Sequence, residues 1–589
     1  MRLQISKSAN AESFYIVESV YEGNGKRTNR IVETLGTLPQ VRERAGDMDP
    51  YEWAKAYAKE LTQKKNEGKE PPVIAKYAPG KQIPKDSPTL FNGGYLFLQK
   101  IYYELGLNRI CDEISDKYKF TYDLNSILSR LIYARVLSPS SKLSSLEYSG
   151  TLLEKPNFEL QHIYRALEVI SKENDFIQAA LYKNSRRVSK RNDKVLYYDC
   201  TNFFFEIEAE DDLRKYGKSK EHRPNPIVQM GLFLDGDGIP LAFSIFPGNK
   251  NEQPSLKPLE KKIIKDFGNS SFVVCTDAGL SGTANRKFND KMGRAFITTQ
   301  SVKKMQSFLH DWVFDDTGWM LHRGGKNKTY NISQLKEDAK LMEKYKNEVF
   351  YKERWINEDG LEQRIIVSFS VKSMLYQRNI RMRQYQRASS MLENPGGIKR
   401  RSNQNDPKRF IKETAATKDG EIASKKSYEL NEELFLSESQ YDGYYAVATN
   451  LEDDAEQIVR INKNRWEIEA AFRIMKSEFE ARPVYLSRED RIRAHFTTCY
   501  LALTVFKYLE KRIDGDFSSG NIIETLREMK FQCIPKSGYV PVYTRTDITD
   551  ALHDAFDFRT DYEIVTNKTF KGIFKKTTER RRAQNKTDE

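Results

Sequence analysis

The spacing of apolar residues changes abruptly at Lys194, and no other feature constrains the fold of this chain as strongly. From about residue 90 to this point, apolar residues recur at helical intervals, as in residues 96–105 and 126–135. After it come short apolar runs, two of which flank Asp235-Gly-Asp-Gly238, and Asp-Gly between such runs favours a β-hairpin. The order strand, hairpin, helix, strand, helix, strand predicts a mixed α/β layer.

Shifts in composition divide the 589 residues, which are too many for one ordinary domain, into six predicted regions. They are a small β/α unit with a Lys-, Pro- and Gly-rich linker (1–85), a helical region (86–190), a first α/β part (191–304), an insertion (305–450), a second α/β part (451–515) and a C-terminal region with a basic tail (516–589). In the first region, strands are predicted at 13–21 and 29–35, with a turn at 22–26 and a helix around 50–63. We expect the tail to fray from Thr566 onward.

The net charge indicates a polyanionic partner. Basic side chains number 96 and acidic ones 83, so the formal charge is 96 − 83 = +13. The alternative is that the chain is mildly basic only for solubility. No run of about 18 apolar residues exists, which excludes a membrane span.

The cysteines argue against a disulfide framework or a zinc knuckle. They are five in number, far apart and never in a Cys-x-x-Cys pair, as expected in a reducing environment. Cys499 follows His495 by four residues, so both can lie on one helical face. Without a second pair nearby, this spacing does not support a metal site.

Two aspartates, Asp199 and Asp277, lie at or near the ends of predicted strands of one sheet. Carboxylates placed in this way can converge, and both stay ionised only if they share a cation or a proton. Mg²⁺ suits such a pair, because it takes a few carboxylate oxygens and keeps positions for water and phosphate. The alternative is that each aspartate only caps a turn.

A helix predicted from a cap at Asp453 or Asp454 to about Phe479 carries one broad charged face. The residues on this face are Arg465, Glu469, Arg473 and Lys476. They form either ordinary i,i+4 ion pairs or a third metal-binding acid flanked by phosphate-binding cations. Trp466 and Phe472 of the same helix are predicted to face the core.

This helix resembles the catalytic helix of the DDE-type transposases of bacterial insertion sequences. In the large IS-four-like group it carries the signature Tyr-x-x-Arg-x-x-x-Glu-x-x-x-x-x-x-Lys, and Arg465, Glu469 and Lys476 match the last three positions. The other matching motifs are Tyr198-Asp-Cys-Thr201, Gly238-Ile-Pro-Leu241, Gly248-Asn249 with Glu252, Thr276-Asp-Ala-Gly279 and Arg482-Pro-Val-Tyr485. Asn462 stands where the family has Tyr, and because Asn is shorter and cannot stack, the role of that Tyr is not carried over.

The resemblance implies a ribonuclease-H-like mixed sheet interrupted by a large β-rich insertion, after an N-terminal β unit and a helical domain. It implies that Asp199, Asp277 and Glu469 are catalytic and hold two Mg²⁺ ions, for which Mn²⁺ can substitute. The ions would activate water for cleavage at the 3′ end, and then the freed 3′-hydroxyl for attack on target DNA. DNA phosphates would be bound by Arg465, Arg473 and Lys476.

The implied function is a DNA transposase that binds the ends of an insertion sequence and catalyses metal-dependent cleavage and strand transfer. Two alternatives remain: a ribonuclease-H-like nuclease without strand transfer, and a non-catalytic DNA-binding protein derived from a transposase. The expected partners are double-stranded DNA, recognised through residues 1–190, and a second copy of the chain, because two ends must be paired. The expected location is the bacterial cytoplasm, on the nucleoid when DNA is bound. The basic stretch from Arg378 to Lys412 is either a DNA-facing surface or a solvated insert.

Overall fold

The structure is a computed structural model of the chain. It describes residues 1–8, 11–21, 27–66, 73, 79–83, 85, 87–291, 293–323, 326–393, 405–416 and 422–579. The chain divides into two compact units, Met1–Lys85 and Asp86–Glu589.

The first unit is a three-stranded antiparallel sheet with two helices. Its elements are β1 (Arg2–Lys7), β2 (Glu12–Tyr21), β3 (Arg27–Thr37), α1 (Leu38–Ala45) and α2 (Pro50–Asn66). Phe14 and Leu35 of the strands pack against Val41 of α1 in its core. The predicted strands and the helix around 50–63 are confirmed, while β1 and α1 were not predicted. The turn predicted at 22–26 lies outside the described residues.

The second unit opens with one short strand and six helices, which confirms the helical spacing seen before Lys194. They are β4 (Leu90–Asn92), α3 (Tyr95–Glu104), α4 (Leu107–Tyr118), α5 (Leu124–Leu137), α6 (Lys142–Ser149), α7 (Leu160–Lys172) and α8 (Asn174–Val188). Twelve of the fourteen residues of α5 are buried, so this helix forms the centre of the helical layer.

A ten-stranded mixed sheet is the main layer of the second unit. The strands that follow the helices are β5 (Val195–Phe204), β6 (Ile227–Asp235), β7 (Pro240–Pro247), β8 (Phe272–Thr276), β9 (Arg294–Gln300), β10 (Trp319–Arg323), β11 (Lys326–Tyr330), β12 (Val349–Glu358), β13 (Leu361–Ser370), β14 (Ile411–Ala416), β15 (Ile422–Leu430) and β16 (Tyr444–Thr449). All but β14 and β15 belong to this sheet, in the order β11-β10-β12-β13-β16-β9-β8-β5-β6-β7. The fold is therefore mixed α/β, as predicted, and strands of the 305–450 segment continue the same sheet.

One half of this sheet consists of the five strands β5 to β9. β5, β6 and β7 are antiparallel to one another, and the predicted hairpin joins β6 to β7. β8 lies parallel to β5, and β9 lies parallel to β8. Asp235 of the hairpin accepts hydrogen bonds from the backbone of Asp237 and Ile239, and it is buried against Arg191.

Twelve α-helices and a small sheet complete the second unit. The helices are α9 (Leu256–Lys262), α10 (Thr283–Asn289), α11 (Ser307–Phe314), α12 (Ala339–Lys344), α13 (Val371–Leu392), α14 (Glu432–Ser439), α15 (Ala455–Lys463), α16 (Trp466–Arg473), α17 (Glu489–Arg512), α18 (Ser519–Glu528), α19 (Asp547–Ala555) and α20 (Asn567–Thr578). The strands β17 (Lys530–Ile534), β18 (Gly538–Pro541) and β19 (Val565–Thr566) pair with β4 in a four-stranded sheet. None of the helices in the described part of the chain is long and apolar enough to cross a membrane.

Two predictions about helices need correction. The helix capped by Asp454 ends at Lys463, and a new helix, α16, begins at Trp466 and passes into a π-helical turn, Ile474–Glu478. Because the helix restarts, its buried face changes phase: Phe472 is buried as predicted, but Trp466 is 57% exposed, so the prediction for Trp466 is wrong. The expectation of fraying from Thr566 is also wrong, because Thr566 caps α20 and Phe570 is buried; residues 580–589 lie outside the described part.

Candidate active site

Asp199, Asp277 and Thr299 lie in one row across three neighbouring parallel strands. Tyr197 of β5 is opposite Cys275 of β8, which is in turn opposite Ile297 of β9. Two residues further along, the same register brings Asp199, Asp277 and Thr299 side by side on one face of the sheet. Asp277 directly follows the end of β8, as predicted, but Asp199 lies in the middle of β5, which continues to Phe204, so the prediction that Asp199 lies at or near the end of its strand is wrong.

Helices α15 and α16 cover this face of the sheet. The hydroxyl of Tyr197 donates a hydrogen bond to the backbone oxygen of Ile461 (3.1 Å). The amide of Asn462 donates to Thr299 Oγ1 (3.2 Å) and to the hydroxyl of Tyr445 in β16 (2.9 Å). Asn462 therefore links α15 to Thr299 of the row and to Tyr445, whose hydroxyl lies beside Thr299.

The two aspartates differ in how they are stabilised. Burial raises the pKa of Asp199 to about 6; the charge of Asp277 also raises it, while Lys220 and Arg465 lower it. Asp199 Oδ1 accepts a hydrogen bond from the backbone N–H of Cys200 (2.7 Å), and Asp277 Oδ1 accepts one from Leu280 (3.0 Å). Two adjacent carboxylates, one of them costly to ionise, make a site that favours a cation.

Lysines with carboxylate partners surround Asp199. Lys220 Nζ lies 3.3 Å from Glu252 Oε1 and donates to the backbone oxygen of Cys200. Lys476 Nζ lies 3.0 Å from Glu221 Oε1. Burial lowers the pKa of Lys476 to about 8; Lys220 lowers it further and Asp199 opposes the shift. These lysines can exchange their carboxylate partners for phosphate oxygens.

Glu469 stands apart from the two aspartates. Its side chain is 60% exposed, and its Oε1 lies 3.7 Å from Arg465 Nη2. Within the described residues, no group of three or more His, Cys, Asp or Glu is arranged to hold a metal ion. Nevertheless, α16 packs beside β5. Two cations that flank Glu469 in the sequence, Arg465 and Lys476, interact electrostatically with Asp199. Arg473 is exposed.

A comparison with known families decides the class of protein. The family model described as "Transposase DDE domain" matches residues 203–505, just over half of the chain. The chain belongs to the transposase DDE domain family. The resemblance to DDE-type transposases is thereby confirmed, and the IS-four-like assignment stays a prediction. The matched span of this family member contains Asp277 and Glu469 and begins shortly after Asp199.

The other comparisons add little. No curated protein matches this DDE-family chain. Among solved structures, it is similar to a piggyBac transposase synaptic complex with hairpin DNA, determined by cryo-electron microscopy. The similarity has 9% sequence identity, covers 74% of this chain and 79% of that chain, and has a TM-score of 0.33. A TM-score of 0.33 is too low to establish a shared fold.

The basic stretch from Arg378 to Lys412 fits neither predicted interpretation as a whole. Arg381 of α13 is buried and donates two hydrogen bonds to the carboxylate of Asp442. Arg409 is also buried, and it pairs with Glu438. Both arginines hold the fold together, because each spans from one element to another. Residues 399–401 lie outside the described part of the chain.

Several site residues were missed by sequence reasoning. Lys220 and Glu221 lie in the long loop between β5 and β6, where no periodic pattern marks them. Tyr445 reaches the row only because β16 pairs with β9, a contact between distant segments. Glu252 belongs to one of the matching sequence motifs, but the sequence does not indicate that it pairs with Lys220.

Proposed function

We propose that the chain is a DNA transposase that cleaves and joins DNA by metal-dependent phosphoryl transfer. The observation that carries this proposal is the register that aligns Asp199 with Asp277 at adjacent parallel strands. They lie beneath α16, which bears Glu469, with Arg465 at its N-terminal cap and Lys476 in the π-helical turn that follows. The strand order β7-β6-β5-β8-β9, with three antiparallel strands followed by two parallel ones, agrees with a ribonuclease-H-like core.

The residues fit a divalent cation at the two aspartates. Asp199 is mostly buried beside Asp277, and a bound cation would offset both the burial and the smaller repulsion from Asp277 that raise its pKa. Asp199 and Asp277 would hold Mg²⁺ or Mn²⁺, and Glu469 would be a further ligand once its exposed side chain leaves Arg465. Bound in this way, the metal would supply Lewis-acid stabilisation and a more acidic water or 3′-hydroxyl.

The cations of the chain position the DNA strand. Lys220 and Lys476 are held next to Asp199 by Glu252 and Glu221, so a phosphate entering here meets two ammonium groups. A phosphate also favours the charged form of Lys476, whose pKa burial has lowered to about 8. Double-stranded DNA and a second copy of the chain are the partners that this role requires, with the helical region 86–190 contributing to recognition of the ends.

The test is cleavage and joining of a duplex that carries the DNA flanking the coding region, with Mg²⁺ or Mn²⁺. We expect nicking and strand transfer by the wild-type chain, and loss of both in Asp277→Asn. The matched control is Asp212→Asn, because Asp212 is exposed and lies outside the row. Nicking without joining would favour the nuclease alternative. DNA binding without cleavage under either metal would favour the non-catalytic one.

A further inference from the structure

A cavity of about 270 Å³ lies where the loop before α6 meets the segment between the π-helical turn and α17. Its lining includes Arg135, Lys142, Arg482 and His495. The one acidic lining residue is Glu480, whose side chain is exposed. Basic side chains therefore outnumber acidic ones in the lining of the cavity.

Two of these cations are buried without a carboxylate partner. Lys142 and Arg135 are only 5% and 4% exposed. Arg135 donates to backbone oxygens of Phe479 (3.0 Å) and Ser140 (3.2 Å), and its Nε has no hydrogen-bond partner. The ammonium of Lys142 has neither a hydrogen bond nor an ion pair among the residues that the structure describes. Buried charges are normally paired, so these two cations lack an anion.

The neighbouring groups do not supply that anion. Burial lowers the pKa of Lys142 to about 7, and the charge of Arg135 lowers it further. Burial also lowers the pKa of His495 well below its usual value, so the ring is neutral. His495 Nε2 lies 3.3 Å from the backbone oxygen of Ala481 and 3.7 Å from Cys499 Sγ, and burial keeps that thiol protonated by raising its pKa.

The cavity is linked to the candidate active site through one shared carboxylate. Arg482, which lines the cavity, pairs with Glu221, and Glu221 also holds Lys476 beside Asp199. An anion in the cavity would compete with Glu221 for Arg482. Lys476 of the active site and Arg482 of the cavity therefore lie on opposite sides of the same carboxylate, Glu221.

We infer that this cavity binds a phosphate group of the DNA backbone, next to the phosphate that reacts at Asp199 and Asp277. The guanidinium and ammonium groups of Arg135, Lys142 and Arg482 offer several N–H donors to phosphate oxygens. The anion site stands on its own geometry, and its assignment to DNA rests on the proposed function.

The first experiment asks whether the cavity binds phosphate at all. Thermal unfolding is measured in inorganic phosphate and in chloride at equal ionic strength, for the wild type, Lys142→Met and Lys155→Met. Lys155 is exposed, so its variant removes the same charge without touching the cavity. We expect phosphate to raise the Tm of the wild type and of Lys155→Met by several degrees more than that of Lys142→Met. Equal shifts in all three proteins, or no shift in the wild type, would overturn the proposal.

A second measurement needs no variant and covers the case in which Lys142→Met does not fold. Amine acylation of the wild type is mapped by mass spectrometry, with and without phosphate. Phosphate should protect Lys142 several-fold and leave Lys155 unchanged. Labelling of Lys142 that phosphate does not slow contradicts the anion site.

The last experiment identifies the source of the phosphate. Duplex DNA binding is measured against salt without divalent metal, so failure of catalysis leaves the result untouched. We expect the slope of log affinity against log salt to flatten by about one unit in Lys142→Met and to stay close to the wild-type slope in Lys155→Met. Phosphate protection with an unchanged DNA slope would assign the cavity to a free anion and overturn the DNA assignment.

Discussion

The candidate active site and the neighbouring cavity both gather partly or fully buried cations, but only the active site also gathers acids. Near Asp199, Lys220 faces Glu252 and Lys476 faces Glu221. In the cavity, neither Arg135 nor Lys142 forms an ion pair with a carboxylate among the described residues. The charges of the first region are balanced before any ligand arrives, and in the proposed function its lysines exchange these carboxylates for DNA phosphates. The charges of the second region are balanced only when an anion is present. Removing a cation therefore leaves a carboxylate without its partner in the first region, but removes an unpaired charge in the second.

The largest expected effect concerns Glu469 in the acid-rich region. If Glu469 becomes a metal ligand, Glu469→Gln loses several kcal/mol of transition-state stabilisation, about 10³-fold in cleavage rate. If it is only the partner of Arg465, the substitution costs about 0.2–0.5 kcal/mol of stability and activity persists. Metal-dependent cleavage by folded protein distinguishes the two outcomes.

A matched ion pair elsewhere provides the control for this prediction. Glu489 of α17 pairs with Arg493 at the same i,i+4 spacing, also in an exposed position. Glu489→Gln should keep full cleavage activity. If Glu469→Gln also cleaves at a near-normal rate, Glu469 is not a metal ligand, and only Asp199 and Asp277 remain as candidate ligands.

The contrast between Asp277 and Glu469 also indicates how far the sequence could predict the site. Asp199 and Asp277 follow from local signals, because strand periodicity and parallel pairing fix which residues stand side by side. Glu469 lies on a helix predicted correctly in type, but the restart at Trp466 changed its phase. Helical spacing alone could not reveal that break, because it depends on how the helix packs on the sheet.

The cavity lay beyond sequence reasoning for a different reason. Arg135 and Lys142 are far in sequence from Arg482 and His495, and only packing of α17 against α5 brings them together. These two cations stand out because they are buried without a carboxylate partner, and the spacing of residues in the sequence cannot predict that. Likewise, Arg381 looked like part of a DNA-facing stretch, because the sequence does not reveal its pairing with Asp442.

The second prediction tests the acid-poor region through pH. The pKa of Lys142 is about 7 in the folded chain, against an ordinary 10.5. Between these values the unfolded chain binds a proton that the folded chain does not. The free energy of unfolding should therefore rise with pH, by at most about 1.4 kcal/mol per unit above pH 7. Lys142→Met should lack this rise.

Denaturant unfolding of both proteins from pH 7 to pH 9.5 measures the difference in slope. Both proteins keep the other charged and titratable groups that line the cavity or act on Lys142, which are Arg135, Tyr164, Glu480, Arg482, Tyr485, His495 and Cys499. Saturating phosphate should shrink the difference, because a bound anion favours charged Lys142. Parallel pH profiles without phosphate would mean that the ammonium of Lys142 finds a counter-charge.

The third prediction concerns a paired lysine of the active site. Lys476→Met removes one charge-assisted contact with phosphate, and we expect about a tenfold loss of cleavage rate. Lys511→Met is the matched control, since Lys511 also pairs with an acid, Asp237, at the hairpin. An unchanged rate for Lys476→Met, measured at saturating DNA, would make the Lys476–Glu221 pair purely structural.

The smallest expected effect on cleavage separates exposed arginines from buried ones. Arg473 is exposed on α16, so Arg473→Met should flatten the salt dependence of DNA binding by about one unit while cleavage at saturating DNA persists. Arg381 is buried in its pair with Asp442, so Arg381→Met should leave the salt slope unchanged and lower stability by about 3–5 kcal/mol. Binding titrations at several salt concentrations, together with denaturant unfolding, measure both quantities. A flatter slope for Arg381→Met at temperatures where it stays folded would return this arginine to the DNA-contacting surface. It would also weaken the distinction between cations that stabilise the fold through carboxylate partners and cations that are proposed to bind DNA phosphates.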